Sequence, residues 1–351
     1  MLRIRYYCYY SQLTGYGRAA RDYLLALHRT GGVELEIIDL TLGDARFDVR
    51  SPEPRYAELD QFVAPVPRMV APDVAIYHAS PGTLKAITDI GGMPVLAGQL
   101  ECARRHVAMT TWETDHLPEA YGDALKDYDD VIVPSQFCVD AIGDDEMMPA
   151  LLPHCFDPAF WVFPSPRLPN TPYRFYTIGA AGERKNSMGV LKAYLSAFTA
   201  KDPVVLVMLV AGGSHDEVRS LVARTGLPAS ELPKFNFITD AVLSEEDLRD
   251  LHAQGDCYVS ATRGEGWGLG LFEAAIMGRR IIAPGIGGHV DFLSDADCYI
   301  SGSVLTPCFG SEVRGRIVES GGRLIQESSV AMPPGVTCRQ AWGEPSLFEI
   351  T

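Results

Sequence analysis

The amino-acid sequence predicts two doubly wound α/β domains in one chain. Three observations carry that expectation. Short apolar runs alternate with helical periodicities along both halves, a proline-crowded stretch separates the halves, and 351 residues exceed what one hydrophobic core usually organises. The expected domains are residues 1–165 and 166–351.

Residues 2–10 are apolar at every second position, as in a half-buried strand. The chain then passes through Thr14-Gly15-Tyr16-Gly17 into a helical pattern in which Ala20, Tyr23, Leu24 and Leu27 share one face, and Gly31-Gly32 ends it. Further strands are expected at 34–40, 74–77, 94–97, 107–111 and 131–134, with a helix over 118–127. Another helix, capped by Ser135, should end near Ile142. From 154 to 172 the prolines Pro158, Pro164, Pro166, Pro169 and Pro172 break any regular element, so this stretch reads as the linker. The grammar then repeats: strand 173–179, helix 188–199, strand 204–211, and a helix opening at Ser214 with Glu217 completing a capping box. Strands at 235–239, 257–261, 280–284 and 298–301 complete the second series. Loops at the carboxyl ends of such strands collect ligands, and two such domains facing each other would form a cleft.

Composition narrows the function. Hydrophobic residues make up 47% and charged residues 21%, and no apolar run is long enough for a membrane span, so a soluble, cytoplasmic protein is expected. Arg3 and Arg5 among the first alternating residues suit a strand better than a secretory signal. The net charge of −15 disfavours nonspecific binding to nucleic acid or anionic membranes, although the local run Arg104-Arg105-His106 could meet an anionic acceptor. None of the eight cysteines forms a C-x-x-C pair, and neither Cys102 with His106 nor His154 with Cys155 has the further ligands a zinc site needs. Asp295-x-Asp297 reads as a loop. No metal site is expected.

Gly15-x-Gly17-x-x-Ala20 after a strand, with Asp39 closing the next strand, also matches a dinucleotide-binding fingerprint. An NAD(P)-dependent oxidoreductase is therefore the rival reading. The loop Ser11-Gln12-Leu13-Thr14 is longer than that fingerprint usually has.

The most informative stretch is Arg263-Gly264-Glu265-Gly266-Trp267-Gly268-Leu269-Gly270-Leu271-Phe272-Glu273, followed by Arg280-Ile281-Ile282-Ala283-Pro284 and Gly287-Gly288-His289-Val290-Asp291. It resembles the retaining GT-B glycosyltransferases of family four, the glycosyl transferases group 1. Glu265 and Glu273 reproduce that family's E-x(7)-E pattern, and Gly266-Trp267-Gly268-Leu269 its glycine-aromatic-glycine turn. The resemblance covers residues 4–293 and implies the GT-B fold, two Rossmann-like domains facing across a cleft. It further implies that Glu265 contacts the transferred sugar and that Glu273 holds the ribose of a nucleotide-sugar donor. A glycine-rich turn before a helix, expected here over 271–278, can aim free N–H groups at diphosphate oxygens, and a carboxylate in the helix's opening region is stabilised by the dipole.

The same resemblance places Arg184 and Lys185, in Gly179-Ala180-Ala181-Gly182-Glu183-Arg184-Lys185-Asn186, against the donor diphosphate. Two cations there would stabilise the charge that builds on the departing oxygen without a metal. Donor-binding candidates are thus Gly15, Gly17, Gly182, Gly266, Trp267, Gly268, Leu269, Gly270 and Glu273, with Arg184, Lys185 and Glu265 as the catalytic group. Acceptor-side candidates are Trp112, Glu113 and His116, and the choice between Glu113 and His116 stays open.

No cofactor is expected beyond the nucleotide sugar as co-substrate. UDP-, GDP- and ADP-sugars all fit, with UDP-glucose-like donors as the default. The acceptor, whether glycan, lipid-linked, small molecule, protein or modified nucleic-acid base, is not legible. A noncatalytic sugar-nucleotide-binding subunit is the third reading.

Overall fold

The computed structural model describes residues 1–41, 53–88, 103–161, 172–239, 243–294 and 298–301, together with the backbone of four short later strands. The chain forms two compact units, Met1–Phe160 and Trp161–Thr351.

The first unit is built on a seven-stranded parallel sheet: β1 (Leu2–Cys8), β2 (Val33–Asp39), β3 (Val63–Ala64), β4 (Val74–His78), β5 (Arg105–Met109), β6 (Asp130–Val133) and β7 (Ala150–Leu151). Their spatial order is β3-β2-β1-β4-β5-β6-β7, so the direction of winding reverses between β1 and β4. The period of two in β1 sends Ile4, Tyr6 and Cys8 into one apolar cluster and Tyr7 into the other, which is why this strand is buried on both faces. Arg5 is tolerated inside because its Nε donates to Glu36 Oε2 at 2.7 Å, while Glu36 Oε1 accepts from the backbone N–H of Arg68 and Met69.

Helices α1 (Gly15–Arg29), α2 (Pro81–Thr88), α3 (Glu119–Leu125) and α4 (Gln136–Ile142) cover the sheet. Thr14 caps α1 through Gly17 N–H and Ser135 caps α4 through Cys138 N–H, the latter as the sequence predicts. Helix α2 and strands β3 and β7 are not foreseen by the sequence, and the strand expected at 94–97 lies outside the described residues.

The second unit repeats the plan with β8 (Tyr173–Ala180), β9 (Val204–Ala211), β10 (Lys234–Ile238), β11 (Cys257–Val259), β12 (Arg280–Pro284) and β13 (Tyr299–Ser301), all parallel in the order β10-β9-β8-β11-β12-β13. Its helices are α5 (Ser187–Ala197), α6 (His215–Arg224), α7 (Glu245–Gln254) and α8 (Leu269–Ile276). Ser214 caps α6 by accepting from Glu217 N–H, whereas the reciprocal capping box forms between Ser244 and Asp247 on α7. The backbone strands β14 (Ser303–Pro307) and β17 (Ala341–Pro345) pair antiparallel, as do β15 (Arg316–Ile317) and β16 (Gln326–Glu327). Among the described residues, no helix is long and apolar enough to cross a membrane.

Candidate active site

In the second unit the winding reverses between β8 and β11, and a pocket of about 360 Å³ opens there. Thr177, Ile178 and Gly179 from β8, Tyr258 and Ser260 at β11, and Gly268, Gly270 and Leu271 at the start of α8 line it, with Lys185, Ser187 and Glu265. This is the position that a doubly wound sheet offers a ligand.

Two loops from distant parts of the sequence meet at its mouth. Lys185 Nζ donates to Glu265 Oε1 at 2.5 Å, and Arg184 Nη1 lies 3.5 Å from Glu265 Oε2 while donating to Gly264 O at 2.7 Å. Thr262 Oγ1 stands 3.2 Å from Glu265 Oε1, and Arg263 N–H donates to Arg184 O. Burial works to raise the Glu265 pKa, but Lys185 and Arg184 outweigh it and bring the group down to about 2. The cluster therefore carries two cations held by one carboxylate, a net single positive charge. Gly182 (φ 149°) and Asn186 (φ 48°) turn the 182–186 loop sharply, and Asn186 Nδ2 ties it to Ala261 O at 3.0 Å.

The glycine turn leads into α8, which begins at Leu269, two residues earlier than the sequence predicts. Gly268 (φ 89°) supplies the left-handed residue, and Phe272 is the first helix residue whose N–H finds its partner, Gly268 O. The N–H groups of Leu269, Gly270 and Leu271 thus lead the helix at the pocket. Gly270 has a packing reason as well: a Cβ there would come within 2.5 Å of the Tyr258 hydroxyl, which donates to Ile178 O.

Two expectations need correction. Trp267 faces the core, 5% exposed, with its ring against Phe272 (5.2 Å) and Phe292 (4.7 Å). It anchors the turn from behind, and the buried Gly266 precedes it. Glu273 is the fifth residue of α8, beyond the opening turn, and its Oε2 is 3.2 Å from Nε2 of the fully buried His252. Sequence reasoning missed this partner because His252 sits on a helix whose exposed face is almost entirely charged. It named His289 in the flanking motif without a role; His289 Nε2 donates to Pro284 O at 2.7 Å, while Gly288 N–H donates to Glu265 O. Burial pushes the His289 pKa down.

In the first unit, Gly17 is needed because a side chain would collide with Gln12 O and lie 2.7 Å from Tyr9 O. The loop is pulled in by Arg21, fully buried, which donates to Tyr10 O and Gln12 O at 2.6 and 2.7 Å. Asp39, the acid of the dinucleotide fingerprint, accepts from Ser11 N–H and Oγ and from Thr41 N–H and Oγ1. Four hydrogen bonds within its own loops occupy the carboxylate that a ribose would need, which argues against the oxidoreductase.

Trp112 Nε1 donates to Thr114 Oγ1 (2.7 Å) and His116 O (2.8 Å), fixing the turn after β5. His116 is exposed and lies 3.5 Å from Asp115. Glu113 is half-buried and close enough to Tyr16, on the first turn of α1 beside Gly15, to join burial in raising that phenol's pKa.

Residues 172–307 match the family model described as glycosyl transferases group 1. No curated protein sequence matches the chain. Among solved structures, the chain is similar to HepE from Anabaena, crystallised with UDP-glucose (12% identity, 86% of each chain covered, TM-score 0.57). It is similar also to a glycosyltransferase from Rickettsia africae (14%, 86% and 84%, TM-score 0.58) and to WaaG, a glycosyltransferase involved in lipopolysaccharide biosynthesis (13%, 85% and 86%, TM-score 0.55). The chain thus has the GT-B glycosyltransferase fold, and a segment of its second unit matches the glycosyl transferases group 1 model.

Proposed function

We propose that the protein is a retaining glycosyltransferase that moves a sugar from a nucleotide-sugar donor to an acceptor hydroxyl without a metal ion. The observation that carries this reading is the clasp of Arg184, Lys185 and Glu265 beside the free N–H groups of α8. A departing nucleoside diphosphate needs positive charge at the breaking bond, and preorganised cations and amides supply it at no reorganisation cost. A UDP-sugar donor is favoured because HepE was solved with UDP-glucose and with UDP and glucose.

The sugar passes through an oxocarbenium-like state with substitution on the same face, the departing phosphate oxygen taking the acceptor's proton. Glu265 holds the two cations and meets the sugar's hydroxyls, and Glu273 serves the ribose. On the acceptor side, Glu113 is preferred over His116, because it lies beside Tyr16 and the glycine loop whereas His116 points to solvent.

Release of nucleoside diphosphate from a panel of UDP-, GDP- and ADP-sugars tests the reading. Turnover should persist undiminished in EDTA, since Arg184 and Lys185 do a divalent ion's work. Complete loss in EDTA, restored by manganese, would contradict the metal-free mechanism, and no turnover of any donor would favour the noncatalytic binding subunit.

A further inference from the structure

Behind the donor pocket a buried chain of polar side chains, Tyr176 and His252, leads to Glu273. The Tyr176 hydroxyl lies 2.9 Å from His252 Nδ1, and His252 Nε2 lies 3.2 Å from Glu273 Oε2. All three residues are at most 4% exposed. With Glu273 ionised and the imidazole neutral, Nε2 is the donor to Glu273 and Nδ1 the acceptor from the phenol.

The ring itself is held from several sides. Tyr258, which lines the pocket, stacks with it at 5.9 Å and 22°, Tyr176 meets it edge-on at 5.5 Å, and Trp161 at 6.2 Å. Gly255, just past the end of α7, leaves the space that the Tyr176 ring fills, since a Cβ there would overlap that ring. A histidine locked in this way fixes the direction from which Glu273 is held, and with it the rotation of α8 about its axis. That helix carries both Glu273 and the leading N–H groups at the pocket.

We propose that His252 is a positioning residue for the donor's nucleoside: through Nε2 it sets the Glu273 carboxylate, and the Tyr176 hydroxyl sets His252. The inference rests on the donor-site reading above, and it separates two parts of that site. The diphosphate is gripped by Arg184 and Lys185 on the 182–186 loop, and the nucleoside from α8, whose Glu273 is bonded to His252.

Calorimetry with UDP and with inorganic pyrophosphate, on the full chain, distinguishes the parts. His252→Ala should weaken UDP about tenfold or more, as loss of a buried hydrogen bond to a charged group does, and leave pyrophosphate affinity within about twofold. His252→Gln should restore most of the UDP affinity, because its amide can donate to Glu273 and accept from Tyr176 at once. Tyr176→Phe, which keeps the ring, should weaken UDP selectively by a few-fold, and it carries the test if His252→Ala fails to fold. Equal losses for UDP and pyrophosphate, or unchanged UDP affinity in both His252→Ala and Tyr176→Phe, would overturn the positioning role while leaving the donor site standing. A wild-type protein that binds pyrophosphate but not UDP would sink the donor-site reading and this inference together.

Discussion

Lys185→Ala is expected to lower sugar transfer about 10²–10³-fold, the loss typical of removing one preorganised donor from a developing anion. Lys185 Nζ is the cation closest to Glu265 and also lines the pocket, whereas Arg184 is partly engaged with Gly264 O. As the leaving diphosphate gains charge, the ammonium can swing from the carboxylate to the phosphate on its flexible stem, while the Arg184 guanidinium stays pinned. The interaction grows in the transition state, so the loss should fall mainly on kcat. Lys185→Arg should recover only part of the rate, since a planar fork cannot reproduce a mobile point charge. Folding should be little affected, because Lys185 is half-buried at the rim rather than in the core. Steady-state kinetics with the best donor checks this, and an unchanged kcat would remove Lys185 from the reaction.

Glu265→Gln is expected to reduce turnover about 10²-fold, a charged hydrogen bond to the sugar being worth up to about 3 kcal/mol, without weakening nucleoside diphosphate. The geometry gives a reason beyond the sugar contact. The carboxylate partly neutralises Arg184 and Lys185, so replacing it with an amide leaves more positive charge for the diphosphate while removing the group that meets the sugar. Affinity for UDP should hold or rise as the rate falls. The pH dependence follows from the depressed pKa. With a folded value of about 2, below that of a free carboxyl, the charge and the stability it brings are present above the unfolded pKa and are lost only as pH falls through about 2. The acid limb of the rate profile above about pH 4 should therefore be the same in wild type and Glu265→Gln. Loss of UDP affinity as severe as that of Lys185→Ala, or a shifted acid limb, would contradict this division of roles.

The sheets were the most legible part of the sequence. Strands buried on both faces read as continuous apolar runs, and residues 204–211 and 280–284 form strands with the bounds that pattern predicts. Helix α7 was not foreseen: Glu245-Glu246-Asp247-Leu248-Arg249-Asp250 is mostly charged, and its buried contribution rests on so few residues, His252 among them, that no apolar periodicity emerges. The two-residue strands β3 and β7 carry too little pattern to announce themselves.

Within the site, the glycine turn and the Arg184-Lys185 pair could be read because backbone geometry and charge are encoded locally. That the pair closes on Glu265, 80 residues away, follows from β8 and β11 being sheet neighbours. The direction of the Trp267 ring was not encoded in the turn. A glycine-aromatic-glycine sequence is the same whether the ring covers a ligand or plugs the core, and only Phe272 and Phe292 decide it. The dinucleotide fingerprint left a rival open for a related reason, because its spacing says nothing of whether Asp39 is already satisfied by Ser11 and Thr41.

The most direct measurement of the central claim is calorimetric titration of wild type and Lys185→Ala with UDP, UDP-glucose, NAD and NADP under one buffer condition. The account predicts that wild type binds UDP and UDP-glucose, that neither dinucleotide competes, and that Lys185→Ala loses about tenfold or more in UDP affinity, as expected for a charge-assisted phosphate contact. Preference for NAD or NADP, or UDP affinity indifferent to Lys185, would contradict it.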